Sequence, residues 1–487
     1  MINEFINYEP KIPEAPQTRN NAFGEPPELQ GDFMNEKTVR VGLVGFGTVG
    51  AGVAKLLIED ADSIAAKTGI RLVLACVVDI DTESPRPVQL PDGLLTSDIN
   101  RLLNDNTIDV GIELIGGTGA AKQIQLKMLE SGKDVVTANK ALLAEYGNEL
   151  YDAAHKNGRC IAFEASCAGG IPIVSAIRTG LAANEITAMY GIVNGTCNYI
   201  LSNMTAKNED FAVALAQAQE KGFAEADPTL DLSGGDSAHK LAILASIAFG
   251  CEITLEDIYV EGIEGISGDD IRYAGEMGYV LKLLAIGQKG TPQTQKNAFG
   301  SPRHNGMISL RVHPAFIAND IALARVNSSF NAVSIFGSAT GQVMYYGRGA
   351  GMMPTASAVV ADIIDVALGN SATTFRHLHL KPRSETAPLI EKIDNLISRF
   401  YIRVMAKDKP GVVAKWSKIL GDHNINISGA LQHEGLGPDN TVPIVILTHP
   451  TQQKNITNAL EEFETLDVLS GKPICIRIVD IPEDTDL

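Results

Sequence analysis

Residues 222-GFAEADPTLDLSGGDSAHK-240 crowd four carboxylates, three glycines, one proline and a closing lysine into nineteen positions. Asp236 and Lys240 stand i, i+4 in the helix expected after Gly234-Gly235, so they share one face. Glu225, Asp227 and Asp231 precede that helix. Burial lowers a lysine's pKa and neighbouring acids raise it, so a lysine in such a setting can carry a proton in a reaction. The acids suit a substrate bearing an ammonium group, while the lysine serves the reacting oxygen. A solvated acidic loop is the plainer reading, and the glycines and scarcity of lysines count against it.

Gly45, Gly47 and Gly50 of 45-GFGTVG-50 form GxGxxG between an expected strand and an expected helix. The first glycine makes the tight turn, the second admits a pyrophosphate, and the third lets the helix pack near the strand. The helix N-terminus adds amide donors and the positive end of its dipole. The motif in this setting predicts a bound dinucleotide. Asp79 closes the second expected strand and is placed to hold ribose hydroxyls, as in NAD recognition. Arg86 could instead hold a 2′-phosphate, and an acid that merely caps the strand end fits as well, so the choice between NAD and NADP stays open.

Lys140 closes 137-TANK-140 at the end of a parallel strand, where ligands of open α/β sheets bind. It can reach a nicotinamide or a substrate there; an exposed loop lysine fits equally. In 164-EASCAGGIP-172, Glu164 with nearby carbonyls could hold a hard cation, since such ions prefer oxygen ligands. On spacing alone, a turn between domains is the favoured reading of that run. Cys197 in 194-NGTCN-198 is the one thiol with a catalytic address, but its nearest histidines in sequence, His155 and His239, are distant. A nucleophilic cysteine needs a base or a helix N-terminus, so a packed thiol is favoured.

Positioning these residues requires a regular alternation of strand and helix. Strands 38-TVRVGLV-44, 71-RLVLACVVD-79, 109-DVGIELIGG-117, 134-DVVTANK-140 and 159-RCIAFEAS-166 alternate with helices over 51–68, 119–132 and about 141–157. That order predicts an α/β, Rossmann-like, doubly wound parallel sheet over residues 37–165. Residues 166–346 change pattern and read as an α+β substrate and dimerisation domain. It comprises a strand and turn over 185–198, helices near 208–222 and 235–250, a Gly/Ala-rich helix after 270, a polar loop over 289–306, and strands 307–314 and 342–347. A helix opened by the glycines near 347, over about 347–370, returns to the first domain. Residues 1–36, rich in Asn, Glu and Pro, read as a disordered N-terminal extension, and 371–398, with Pro382 and Pro388, as a linker. Residues 399–487 give the βαββαβ order of a ferredoxin-like domain.

Fifty-eight acidic against forty basic residues leave a formal charge of −18 on 487 residues, which argues against nucleic acid or an anionic membrane as a partner. Apolar runs such as 241-LAILASIAF-249 fall short of the ~18–20 residues that span a bilayer. The six cysteines are scattered and never form CxxC, and the first residues lack a signal peptide's order, so a reduced cytoplasm is expected.

Taken together these motifs resemble homoserine dehydrogenase of the monofunctional type with a C-terminal ACT domain, over about residues 38–487. The family's signature is matched by Ala218, Gly222, Phe223, Ala224, Asp227-Pro228, Asp231-Leu232, Gly234, Asp236 and Lys240 at the right spacing. GFGTVG, TANK, EASCAGGIP and NGTCNYI follow in the family's order, and 408-DKPGVVAKWSKIL-420 looks like the ligand-side loop and first helix of an ACT domain. The resemblance implies reversible NAD(P)-dependent interconversion of L-aspartate 4-semialdehyde and L-homoserine. By position it implies that Phe46, Thr48 and Val49 line the pyrophosphate turn, that Lys140 lies on the nicotinamide side, and that Gly222 and Gly349 contact the cofactor. Glu164, Cys167, Gly169 and Ile171 match a sodium site made mostly of backbone oxygens. Gly195, Thr196, Glu225, Asp231 and Asp236 match substrate positions, and Lys240, aided by Lys140, the proton donor. Phe223 stands where some members carry tyrosine. Feedback by L-threonine at the ACT domain and a homodimer or homotetramer are further implications. The rivals are a semialdehyde-oxidising enzyme with Cys197 as nucleophile and a non-catalytic amino-acid sensor.

Overall fold

The apolar run at β1 (Lys37–Val44) turns Val39, Val41 and Leu43 inward, each at most 3% exposed. A computed structural model describes residues 37–290, 307–377, 388–432 and 441–482; the expected extension over 1–36 and most of the loop expected over 289–306 lie outside the described residues. After the Gly-rich turn come α1 (Thr48–Glu59) and α2 (Ala61–Thr68), where one helix was expected. Asp60 breaks it at φ −105°, ψ 9°, in keeping with aspartate's poor helix propensity. Then follow β2 (Ile70–Val78), β3 (Leu95–Thr96), α3 (Asn100–Leu103), β4 (Val110–Glu113), α4 (Gly119–Glu130), β5 (Asp134–Thr137), α5 (Lys140–Lys156) and β6 (Ile161–Ala162). The strands pair in parallel in the order β3-β2-β1-β4-β5-β6. The order reverses between β1 and β4, so the turn after β1 and the loops after β4 and β5 share one carboxyl edge, where such sheets bind ligands.

Short α6 (Ile173–Ser175) leads to β7 (Ile186–Ile192), α7 (Gly195–Lys207), α8 (Phe211–Glu220), α9 (Thr229–Leu232), α10 (Gly235–Phe249), β8 (Tyr259–Val260) and α11 (Gly268–Glu276). Next are β9 (Tyr279–Lys289), β10 (Met307–Ala318), β11 (Phe330–Gly337) and β12 (Gly341–Arg348). Two of these, β9 and β11, were not expected. Both are buried on both faces along most of their length, which removes the alternation that marks a strand. Helix α12 (Met352–Ala367) returns to the first domain and packs on α1 so closely that a Cβ on Gly52 would lie 2.9 Å from Met352. The start of the expected linker is helical instead: α13 (Asn370–His377) is anchored by Phe375, 1% exposed, against Tyr151 and His155 at ring distances of 5.8 and 4.7 Å.

After β13 (Leu389–Ile390), the elements β14 (Ile397–Lys407), α14 (Val412–Asp422), β15 (Ile427–Gln432), β16 (Thr441–Thr448), β17 (Thr451–Gln452), α15 (Gln453–Phe463) and β18 (Leu469–Ile478) give the ferredoxin-like order. Its sheet does not stand apart. β18 pairs with β10, so one sheet runs β12-β11-β7-β9-β10-β18-β14-β16-β15. Arg403 of β14 completes the junction with hydrogen bonds of 2.6 and 3.0 Å to the fully buried Asp270 of α11. No single described helix is long and apolar enough to cross a membrane.

Candidate active site

Asp236 begins the second position of α10, whose N-cap Gly234 takes a left-handed φ of 86°. This tight entry aims the first turn back toward the end of β7. Asp236 is 2% exposed and its two oxygens serve different lysines: Oδ1 lies 2.7 Å from Lys140 Nζ, and Oδ2 lies 2.8 Å from Lys240 Nζ. Lys240 Nζ also donates to Val193 O at 2.7 Å, at the end of β7. Asn194, the next residue, caps α7 by accepting from Cys197 N, and its Nδ2 reaches both Asp236 (2.8 Å) and Asp231 (2.7 Å). Two lysines 100 residues apart in the chain thus share one carboxylate. Both attractions hold Asp236 well below the usual carboxylate range even though burial works against the charge. Burial likewise depresses Lys140, and Asp236 more than reverses that, leaving its pKa raised.

From its place in the sequence Asp236 was expected to bind the substrate's ammonium group. Its oxygens meet the two lysines and Asn194, because the fold brings Lys140 across from the first domain. Asp231 is half-buried and held by Asn194, while Glu225 is exposed and stands outside this hydrogen-bonded cluster. Thr196 Oγ1 donates to Phe223 O at 2.6 Å and so ties the start of α7 to the turn that contains the exposed Gly222. Gly195 and Gly349 both lie against Asn331: their Cβ positions would fall 3.6 Å and 2.0 Å from its amide. Sequence reasoning gave Asn194 no role; a capping asparagine directly after an apolar strand was the available signal.

At the nucleotide turn Gly45 has φ +98° and a Cβ there would come 2.7 Å from Leu114, so only glycine fits. A Cβ on Gly47 would meet nothing within 4 Å among the described residues, which leaves the space beside it free for a ligand. Thr48, Val49 and Gly50 form the first turn of α1, where no side chain caps the helix. These features fit a dinucleotide phosphate on that end. The Phe46 amide is taken by Asp79 Oδ2 at 2.5 Å, and Asp79 Oδ1 accepts from Asp81 N at 2.9 Å. Asp79 therefore ties the end of β2 to the Gly-rich turn and stays beside it. Arg86 is drawn into an ion pair with Asp81 at 3.1 Å.

Glu164 is 7% exposed and accepts from Val174 N at 2.8 Å and Ser175 N at 2.7 Å. Its own amide donates to Asp362, a second buried carboxyl. Burial raises the pKa of both, and for Asp362 the neighbouring Glu164 charge adds to it. Gly169 packs on Gly349 O, with 3.1 Å from its Cβ position, and Gly170 N donates to Arg348 O. The 164–171 run thus meets the backbone carbonyls of Arg348 and Gly349, oxygen ligands of the kind a hard cation takes. No group of three or more His, Cys, Asp or Glu side chains that could hold a metal occurs among the described residues, so the donors would be mostly backbone. Buried Cys167 is pushed up to about 12 by burial, and Cys197, whose thiol donates to Asp231 O, well above its ordinary value by the same cause. Neither is poised as a nucleophile.

Comparison with known proteins agrees with this geometry. Residues 45–164 match the family model "Homoserine dehydrogenase, NAD binding domain", 172–364 match "Homoserine dehydrogenase", and 400–467 match "ACT domain". A homoserine dehydrogenase of Neisseria gonorrhoeae is 43% identical over 441 residues, covering 90% of this chain and 98% of its own. One from Pseudomonas aeruginosa is 42% identical, with 91% and 99% covered. The crystal structure of a homoserine dehydrogenase from Thiobacillus denitrificans superposes with a TM-score of 0.82 at 40% identity, covering 91% of this chain and 99% of that one. The chain belongs to the homoserine dehydrogenase family, with an NAD-binding domain, a catalytic domain and an ACT domain.

Proposed function

We propose that the protein reversibly converts L-aspartate 4-semialdehyde and L-homoserine, with Lys240 as the proton-transferring group. The observation that carries this is the Lys140–Asp236–Lys240 cluster at the edge that also holds the Gly-rich turn. A bound NAD(P) supplies the hydride chemistry at the substrate carbon. Lys240 has three donors; Val193 O and Asp236 take two, leaving one for the substrate oxygen. In reduction it protonates the developing alkoxide, and in oxidation it takes the hydroxyl proton. Asp236, which stays ionised, keeps both amines in place, and Lys140 steadies the charge. Asp231 and Glu225, with Gly195 and Thr196, receive the amino-acid end.

Sodium at Glu164, Cys167, Gly169 and Ile171 offsets the buried acids there. L-threonine acts through the ACT domain, and the working form is a cytoplasmic homodimer or homotetramer of three-part chains bounded near residues 165, 346 and 398. The test is homoserine-dependent reduction of NAD or NADP by the wild type, Lys240→Ala and Cys197→Ala. Wild type and Cys197→Ala should be active and Lys240→Ala reduced about 10²- to 10⁴-fold. No reduction of either nucleotide by the wild type, or an active Lys240→Ala, would overturn the reading.

A further inference from the structure

Glu113, the last residue of β4, is 0% exposed, a carboxylate closing an otherwise apolar strand. Its oxygens accept five hydrogen bonds, all from uncharged donors. Oε1 takes Ile115 N (2.9 Å) and Gly116 N (3.2 Å); Oε2 takes Gln125 Nε2 (2.7 Å), Thr137 Oγ1 (2.9 Å) and Asn139 Nδ2 (3.4 Å). These donors come from the loop after β4, from α4 and from the end of β5. Asn139 extends the web: it donates to Gly117 O at 2.7 Å and accepts from Leu142 N at 3.1 Å, capping the helix whose first residue is Lys140. Leu114, next in the chain, donates to Val44 O at 2.8 Å and lies against Gly45. One buried charge therefore gathers three segments of the carboxyl edge.

We propose that Glu113 is a positioning residue for the dinucleotide: it shapes the 114–117 loop against the Gly-rich turn and fixes the base of Lys140. The inference rests on the dinucleotide reading given above. Burying a carboxylate without a cation is costly unless hydrogen bonds replace the lost water. Here the gain is acceptor capacity. A glutamine in the same place would turn an NH2 toward two or three N–H or O–H donors. Ile115, Gly116 and Gly117, which this carboxylate and Asn139 hold, are exposed at the edge rather than packed in the core, so order is imposed where a ligand sits.

The experiment titrates NADH and, separately, NADPH into the wild type, Glu113→Gln and Val135→Ala by fluorescence, with melting temperatures and homoserine kinetics alongside. Val135, 0% exposed in β5, provides a core defect in the same sheet. Glu113→Gln should weaken nucleotide binding about tenfold and lower kcat, with the homoserine KM changed less than about twofold. Val135→Ala should lower the melting temperature and leave nucleotide affinity within about twofold. A Glu113→Gln affinity within about twofold of wild type, or an equal loss in Val135→Ala, overturns the proposal. If Glu113→Gln does not fold, Thr137→Val removes one donor and keeps the charge; it should weaken binding severalfold, and unchanged affinity there overturns the proposal too. A wild type that binds nucleotide but leaves homoserine untouched would defeat the functional reading, while the titration would still decide the role of Glu113.

Discussion

Asp236→Asn removes the one anion that two lysines share while keeping the side chain's shape. The carboxylate oxygens, one of which becomes an NH2, lie 2.7 and 2.8 Å from the two ammonium nitrogens, in a side chain that is 4% exposed. Withdrawing the anion strands Lys240, whose side chain is 10% exposed, at a cost of about 3–5 kcal/mol, whereas Lys140, 36% exposed, can turn to water and loses less. The two ammonium groups are also left near each other with no anion between them, which disfavours both charges. In the wild type burial pulls Lys140 down and Asp236 more than compensates; in the variant only the downward pull and the repulsion remain. Oxidation of the alcohol needs a neutral amine, and withdrawing the anion that both lysines share disfavours the ammonium form, so the rising limb of the rate against pH should move toward acid. The stability sign is also defined. Lys140 is raised in the folded state, so its contribution is complete below its unfolded pKa, about 10.4, and is lost as pH climbs through the folded value. Asp236 is depressed, so its contribution is present above about 3.9 and fades as pH falls toward its folded value. The variant's deficit should therefore be flat between those limits and shrink outside them. Initial rates of homoserine oxidation from about pH 6 to 11, with denaturant unfolding at each pH, provide the assay. A rising limb displaced by less than about half a unit, with unchanged stability, would refute the shared counter-ion.

The junction between the catalytic sheet and the ACT domain should be stiff at one point and soft at others. Arg403→Met leaves Asp270 fully buried without its cation and should cost about 3–5 kcal/mol, whereas Lys415→Met, from a pair whose side chains are 49% and 82% exposed, should leave stability nearly unchanged in the same unfolding measurement. Lys282 is buried on β9, its ammonium held by Val326 O at 2.6 Å with Asn198 and Asn327, and burial pushes its pKa down to about 8. The unfolded chain then binds more protons between about pH 8 and 10.4, so this group's contribution to stability rises with pH across that window. The stability of wild type relative to Lys282→Met should rise over the same range; a constant difference would count against a depressed Lys282.

Much of the site was legible in the chain because its signals are local. GxGxxG between strand and helix, the i, i+4 spacing of Asp236 and Lys240, and the strand–helix alternation all depend on residues a few positions apart. So does the βαββαβ order of the C-terminal part. The strands β9 and β11 were missed because burial on both faces erases their period, and the helix that opens the expected linker was missed because Phe375 finds its partners on α5, far back in the chain. What the tertiary structure alone decided is which charge serves which. The spacing paired Asp236 with Lys240, and only the fold brought Lys140 to its other oxygen from another domain. The hydrogen bond from the Phe46 amide to Asp79 is likewise set by the packing of β1 beside β2, not by spacing along the chain. The ACT sheet might have stood alone, but β18 joined it to β10. Residue types and spacings state what chemistry is available; long-range packing assigns each donor its acceptor, since a buried polar group is satisfied by whichever neighbour the fold brings within about 3 Å.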